Sequence, residues 1–119
     1  MRLHKQIIVG LLVVLAAGAR RAQAQAPDGK ALFDETCRKC HGVRGVPPKT
    51  MKEKFPKVAT FDEAFIAKRS DDSLVKVMMN GVGKAEDMKS FKDKLTPAEM
   101  AAVAKYVREL ALKSHSSSP

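Results

Sequence analysis

The sequence predicts an all-α fold of three to five helices separated by long loops, on three observations. Helix-start residues recur at Asp28, Ser70 and Thr96, each just ahead of apolar residues at helical spacing. Glycines and prolines punctuate the chain between them, at Gly42, Gly45, Pro47, Pro48, Pro56 and Gly81. The alternating patterns of strands are nearly absent.

The elements follow in order. Arg2, His4 and Lys5 precede an apolar run over 7–19, and Ala22-Gln23-Ala24 offers a small-x-small cleavage site. As a helix that run would span about 20 Å, short of a hydrocarbon core of about 30 Å. Arg20-Arg21 follows the apolar run, so it is not a twin-arginine signal, which precedes one. Residues 1–24 therefore read as a secretory signal peptide. Residues 25–119 read as one domain with a polar tail over 114–119, and no stable membrane insertion is expected after cleavage. The implied compartment is a bacterial periplasm or an equivalent exported space.

Within that domain, Asp28 caps a first helix carrying Ala31, Leu32 and Phe33 toward Cys37 and Cys40, and Gly42 and Gly45 break it. The stretch 46–59 reads as irregular. Thr60-Phe61-Asp62-Glu63 has the form of a capping box opening a short helix to Ala67. Ser70-Asp71-Asp72 starts another, with acids at the positive end of the dipole, and Asn80-Gly81 ends it. After a charged loop over 81–94, Thr96-Pro97-Ala98-Glu99 supplies a cap, a proline at the first helical position and a glutamate at the third. The last helix sets Met100, Val103, Val107, Leu110 and Ala111 along an apolar stripe.

Both cysteines of the chain lie in Cys37-Arg38-Lys39-Cys40-His41. Cys-x-x-Cys-His is the attachment signature of c-type haem. On a helical turn these three residues share a face. Two thiols there can bond to the two vinyl groups of one haem edge, and the histidine can give the iron an axial nitrogen. The competing readings need features the chain lacks. A zinc ribbon needs a second ligand pair, and His115 stands alone in a Ser-rich tail. A thioredoxin-like pair needs a βαβ context. A disulfide between Cys37 and Cys40 would close a very small loop and add little stability. Haem also answers two problems: thiols consumed as thioethers escape oxidation after export, and a covalent apolar group gives a small domain a core.

Without Arg2, Lys5, Arg20 and Arg21, eighteen cations face thirteen acids, a net charge of +5. No basic patch interleaved with aromatics accompanies it, which excludes a nucleic-acid binder by this criterion.

The chain resembles the class I c-type cytochromes, in particular the small monohaem bacterial type. Cys37-Arg38-Lys39-Cys40-His41-Gly42, the loop Met88-Lys89-Ser90-Phe91, and Tyr106-Val107-Arg108-Glu109-Leu110 in the last helix carry the resemblance, which covers nearly all of 28–112. It implies a cytochrome c-like fold around one covalent haem, bound through Cys37 and Cys40, with His41 and Met88 as iron ligands. It also implies that the first and last helices cross where Gly29 and Phe33 meet Tyr106 and Val103. Two positions depart from the pattern or leave it open. Lys89 stands where the family often has proline. The backbone carbonyl that accepts the His41 Nδ1–H would come from Pro47 or Pro48, both of which also read as plain turn residues. Among the other methionines, Met78, Met79 and Met100 fall on helices, and Met51, in a basic loop, is the nearest rival to Met88.

The function implied is that of a monomeric one-electron carrier, not an enzyme, with both axial positions filled. A thioether ligand raises the potential above that of bis-histidine ligation. Lys39, Lys49, Lys52, Lys84, Lys89, Lys92 and Lys94 lie around the haem motif and the Met88 loop in sequence. They would steer larger redox partners with acidic docking surfaces, or else serve solubility alone. Two alternatives are a haem-bearing accessory subunit of a periplasmic dehydrogenase or oxidase, and a gas- or ligand-sensing haem protein with an open sixth site. A peroxidase would need a distal acid–base residue, and no histidine is left to provide one.

Overall fold

The computed structural model describes residues 25–84 and 87–116; the expected leader, 1–24, lies outside the described residues. Six helices follow one another: α1 (Gly29–Thr36), α2 (Arg38–His41), α3 (Lys49–Lys54), α4 (Glu63–Ala67), α5 (Asp71–Asn80) and α6 (Pro97–Ser116). The described residues form no strand, only an isolated antiparallel bridge between Val82 and Met88.

The cap residues set where the longer helices begin. Asp28 Oδ1 accepts the Ala31 N–H at 3.1 Å, and Ser70 Oγ accepts the Ser73 N–H at 3.1 Å. At α6 the reciprocal box is complete: Thr96 Oγ1 accepts from Glu99 N–H at 3.2 Å, and Glu99 Oε2 accepts from Thr96 N–H at 2.7 Å. Gly81, at φ +74°, closes α5.

Helix α6 is the platform on which α1, α4 and α5 pack. Its buried residues Met100, Val103, Ala104, Val107 and Leu110 meet Phe33, Phe61, Leu74, Met78 and Leu95. Where α1 crosses α6, a side chain at Gly29 would run into the Ala102 carbonyl oxygen. One turn on, the Phe33 ring stands edge-on to Tyr106, with centroids 5.3 Å apart. Arg108 ties the start of α5 to α6: Nε donates to Asp71 Oδ1 at 2.8 Å and Nη2 donates to the Arg69 carbonyl at 2.9 Å.

Three expectations change, and two of them, the added α3 and the break at Cys37, raise the helix number from the three to five expected to six among the described residues. The segment 46–59 is not wholly irregular, because α3 lies inside it. Pro48 caps that helix: its carbonyl accepts from Met51 and Lys52 N–H at 2.9 and 3.0 Å. The short helix α4 is capped by Asp62, which accepts from Phe65 N–H at 2.8 Å, and not by Thr60. The first helix pauses at Cys37 before resuming as α2. Just before the pause, the Thr36 hydroxyl donates to the Leu32 carbonyl at 2.6 Å, a back-bond that competes with the helical ladder and bends it.

Candidate haem site

The short helix α2 puts Cys37, at its N-cap, with Cys40 and His41 on one turn. Cys40 and His41 both donate backbone N–H groups to the Cys37 carbonyl, at 3.2 and 3.0 Å. Both cysteines are free thiols; Cys37 is buried and Cys40 half-buried. Burial pushes the Cys37 thiol above its ordinary pKa, against the opposing pull of a 3.3 Å contact with the Thr36 hydroxyl.

The His41 ring is fixed from two sides. Its Nδ1 lies 3.1 Å from the Ala59 carbonyl. A carbonyl can only accept, so Nδ1 carries the proton and a neutral ring keeps its lone pair on Nε2. Burial lowers the imidazole pKa, with the Ala59 bond acting the other way. Phe61 stacks on the ring, with centroids 4.5 Å apart and planes 19° from parallel.

Segment 59–61 is held in turn by the loop after the motif. Phe61 N–H donates to the Gly45 carbonyl at 2.8 Å. Gly45 adopts φ +76°, and a Cβ there would sit 2.9 Å from the Phe61 Cβ. Only glycine permits both that backbone and that approach. The acceptor for His41 is therefore neither Pro47 nor Pro48: Pro48 is occupied in starting α3, and Ala59 takes the role. A backbone carbonyl carries no residue signature, so the sequence could not point to it. Phe61 was legible only as an apolar residue.

Met88 is half-buried and packs against the same core cluster that includes Cys37 and Phe61. Its carbonyl accepts from Val82 N–H at 2.8 Å. Met78 and Met100 are buried core residues, and Met79 packs against the core from α5. Met51 lies on α3, not in a loop. Lys39, Lys49, Lys52, Lys84, Lys89, Lys92 and Lys94 are all exposed, with Lys49 3.9 Å from Glu53.

The donor set suits haem c. Two free thiols on one turn would supply two thioether bonds, and a neutral, oriented imidazole with a free Nε2 would supply an iron ligand. Among the described residues, no three His, Cys, Asp or Glu side chains are grouped to hold an ion by themselves.

The model of the family described as "Cytochrome C oxidase, cbb3-type, subunit III" matches residues 24–107. No curated protein matches the chain. Among solved structures, the KustC0563 c-type cytochrome is 34% identical, with a TM-score of 0.62, over 70% of this chain and 96% of the other. A tyrosine-to-phenylalanine mutant of Kustc0563 is 36% identical, with a TM-score of 0.61, over 70% of this chain and 98% of the other. With the all-α fold and the Cys-x-x-Cys-His turn, these matches show that the chain belongs to the c-type cytochromes, the electron-transfer proteins that bind haem covalently.

Proposed function

We propose that the protein is a periplasmic, monomeric one-electron carrier with a single haem. Its cysteines Cys37 and Cys40 would form the thioether bonds, and His41 and Met88 would ligate the iron. The observation that carries this reading is the turn of two free thiols and one histidine whose Nδ1 is tied to Ala59 at 3.1 Å. When bound, haem supplies an iron that accepts and releases one electron. Around it, the Ala59 carbonyl and the Phe61 ring hold the His41 imidazole in one orientation, and the core keeps it neutral. Met88, carried by its loop, would supply the second iron ligand and keep outside ligands off the metal. The exposed lysines bring acidic redox partners into brief, salt-sensitive contact. Residues 1–24 direct export and are cleaved, and no described helix is long and apolar enough to cross a membrane.

A second reading has its own support. The matching family is described as an oxidase subunit, which favours a haem-bearing subunit that remains bound to a periplasmic oxidase. A free carrier runs alone on a sizing column, whereas a subunit co-purifies with its enzyme.

The test is the optical spectrum of the haem-loaded chain, oxidised, reduced, and reduced under carbon monoxide. The carrier predicts a weak ferric methionine–iron charge-transfer band and no carbon monoxide shift. Met88→Ala loses the band, whereas Met51→Ala keeps it. A ready carbon monoxide shift in the wild type would point instead to a ligand sensor with an open sixth site.

A further inference from the structure

The loop that carries Met88 is fastened to the end of α5. The last carbonyls of a helix have no partner within it. Here the Val77 carbonyl accepts from Gly81 N–H at 2.8 Å, and the Met78 carbonyl accepts from Phe91 N–H at 2.8 Å. The Met79 carbonyl accepts from the Ser90 hydroxyl at 2.5 Å. Gly81 lets the loop come this close: a Cβ there would lie 2.6 Å from the Met88 carbonyl oxygen and 2.9 Å from Ser90 N.

The bonds from Gly81, Phe91 and Val82 are made by backbone N–H groups, so side-chain changes leave their donors in place. The bond from Ser90 depends on a side chain. Ser90 is half-buried, and its oxygen also accepts the Lys92 N–H at 3.3 Å. The hydroxyl thus gives its proton to the helix end and its lone pair to the chain heading for α6.

We propose that Ser90 is a positioning residue, whose hydroxyl latches the loop to α5 and so keeps the Met88 thioether on the haem iron. The proposal rests on the reading of Met88 as the distal ligand. Removing the hydroxyl leaves the Met79 carbonyl without its partner and favours the open loop. An outside ligand binds iron only when the loop is open, so its apparent affinity follows the open population.

The experiment titrates imidazole into the ferric, haem-loaded protein and follows the optical spectrum. One ordinary hydrogen bond corresponds to an apparent affinity about fivefold higher in Ser90→Ala than in wild type. Ser90→Thr keeps the hydroxyl and should stay within about twofold of wild type. Ser90→Val has the shape of threonine without the hydroxyl, and should bind imidazole about fivefold more tightly than Ser90→Thr does. This second pair decides the matter if Ser90→Ala fails to mature. Ser73→Ala removes a comparable bond, from Ser73 Oγ to the Ser70 carbonyl at 2.8 Å, at the far end of α5, and should leave the affinity unchanged.

Equal affinities with and without the hydroxyl overturn the proposal. So does an equal rise in Ser73→Ala, which would mean general loosening. Failure of the underlying reading has a different signature: Met88→Ala would then keep both the wild-type imidazole affinity and the charge-transfer band.

Discussion

Phe33 is fully buried, with its ring edge-on to Tyr106 on one side and to Phe61, 6.2 Å away, on another. Those contacts join α1, α6 and the segment that orients His41. Phe33→Ala should therefore destabilise the protein by about 3–5 kcal/mol, read from denaturant unfolding of the haem-loaded form. At the same crossing, Gly29→Ala puts a methyl group against the Ala102 carbonyl and should cost about 1–3 kcal/mol in the same measurement. Both residues were readable through the family resemblance, because the demand at each is for a residue type: no side chain at one, a large ring at the other. The partners of His41 and Ser90 were not readable. Each bonds to a main-chain carbonyl, Ala59 and Met79, and any residue could supply that oxygen.

Helix ends were legible where one cap residue had no competitor. Asp28, Ser70 and Thr96 each begin the helix expected of them. At Thr60-Phe61-Asp62-Glu63 two caps compete, and the structure uses Asp62. Phe61, whose N–H donates to the Gly45 carbonyl, lies just ahead of that cap. Helix α3 was hidden because Pro47-Pro48 reads as a break, whereas a proline just ahead of a helix is also a permissible start. The Thr96 box is the best-formed cap, and it begins the helix on which α1, α4 and α5 rest. Thr96→Ala should lower stability by about 1 kcal/mol, seen as an earlier denaturant midpoint with unchanged slope.

At the scale of the whole molecule, the core converges on the haem turn: Cys37 and Phe61 belong to the same buried cluster as the α6 stripe. A domain this small has only a marginal core of its own, and a covalent haem adds apolar surface against which that core can pack. The double variant Cys37→Ser, Cys40→Ser should thus lose most of its helical circular dichroism. A chain that stays helical without those sulfurs would show that the core does not need the cofactor. The exposed lysines set a second prediction at this scale. Lys39→Glu with Lys89→Glu should slow electron exchange with an anionic reagent such as ferricyanide about severalfold at low ionic strength, with the difference vanishing at high salt. A difference that persists at high salt would mean the substitutions act on the haem environment instead.

The buried position of Cys37 has a consequence for biogenesis. Only 9% of that residue is reachable by solvent, and the packed core, including Phe33 one turn earlier on α1, covers it. A sulfur enclosed in this way presents no path to an enzyme that must bring it against a vinyl group, and burial also weakens it as a nucleophile. The thioether proposed at Cys37 would then have to be made on an extended chain, before α1 settles onto α6. Folding would follow attachment as its final step.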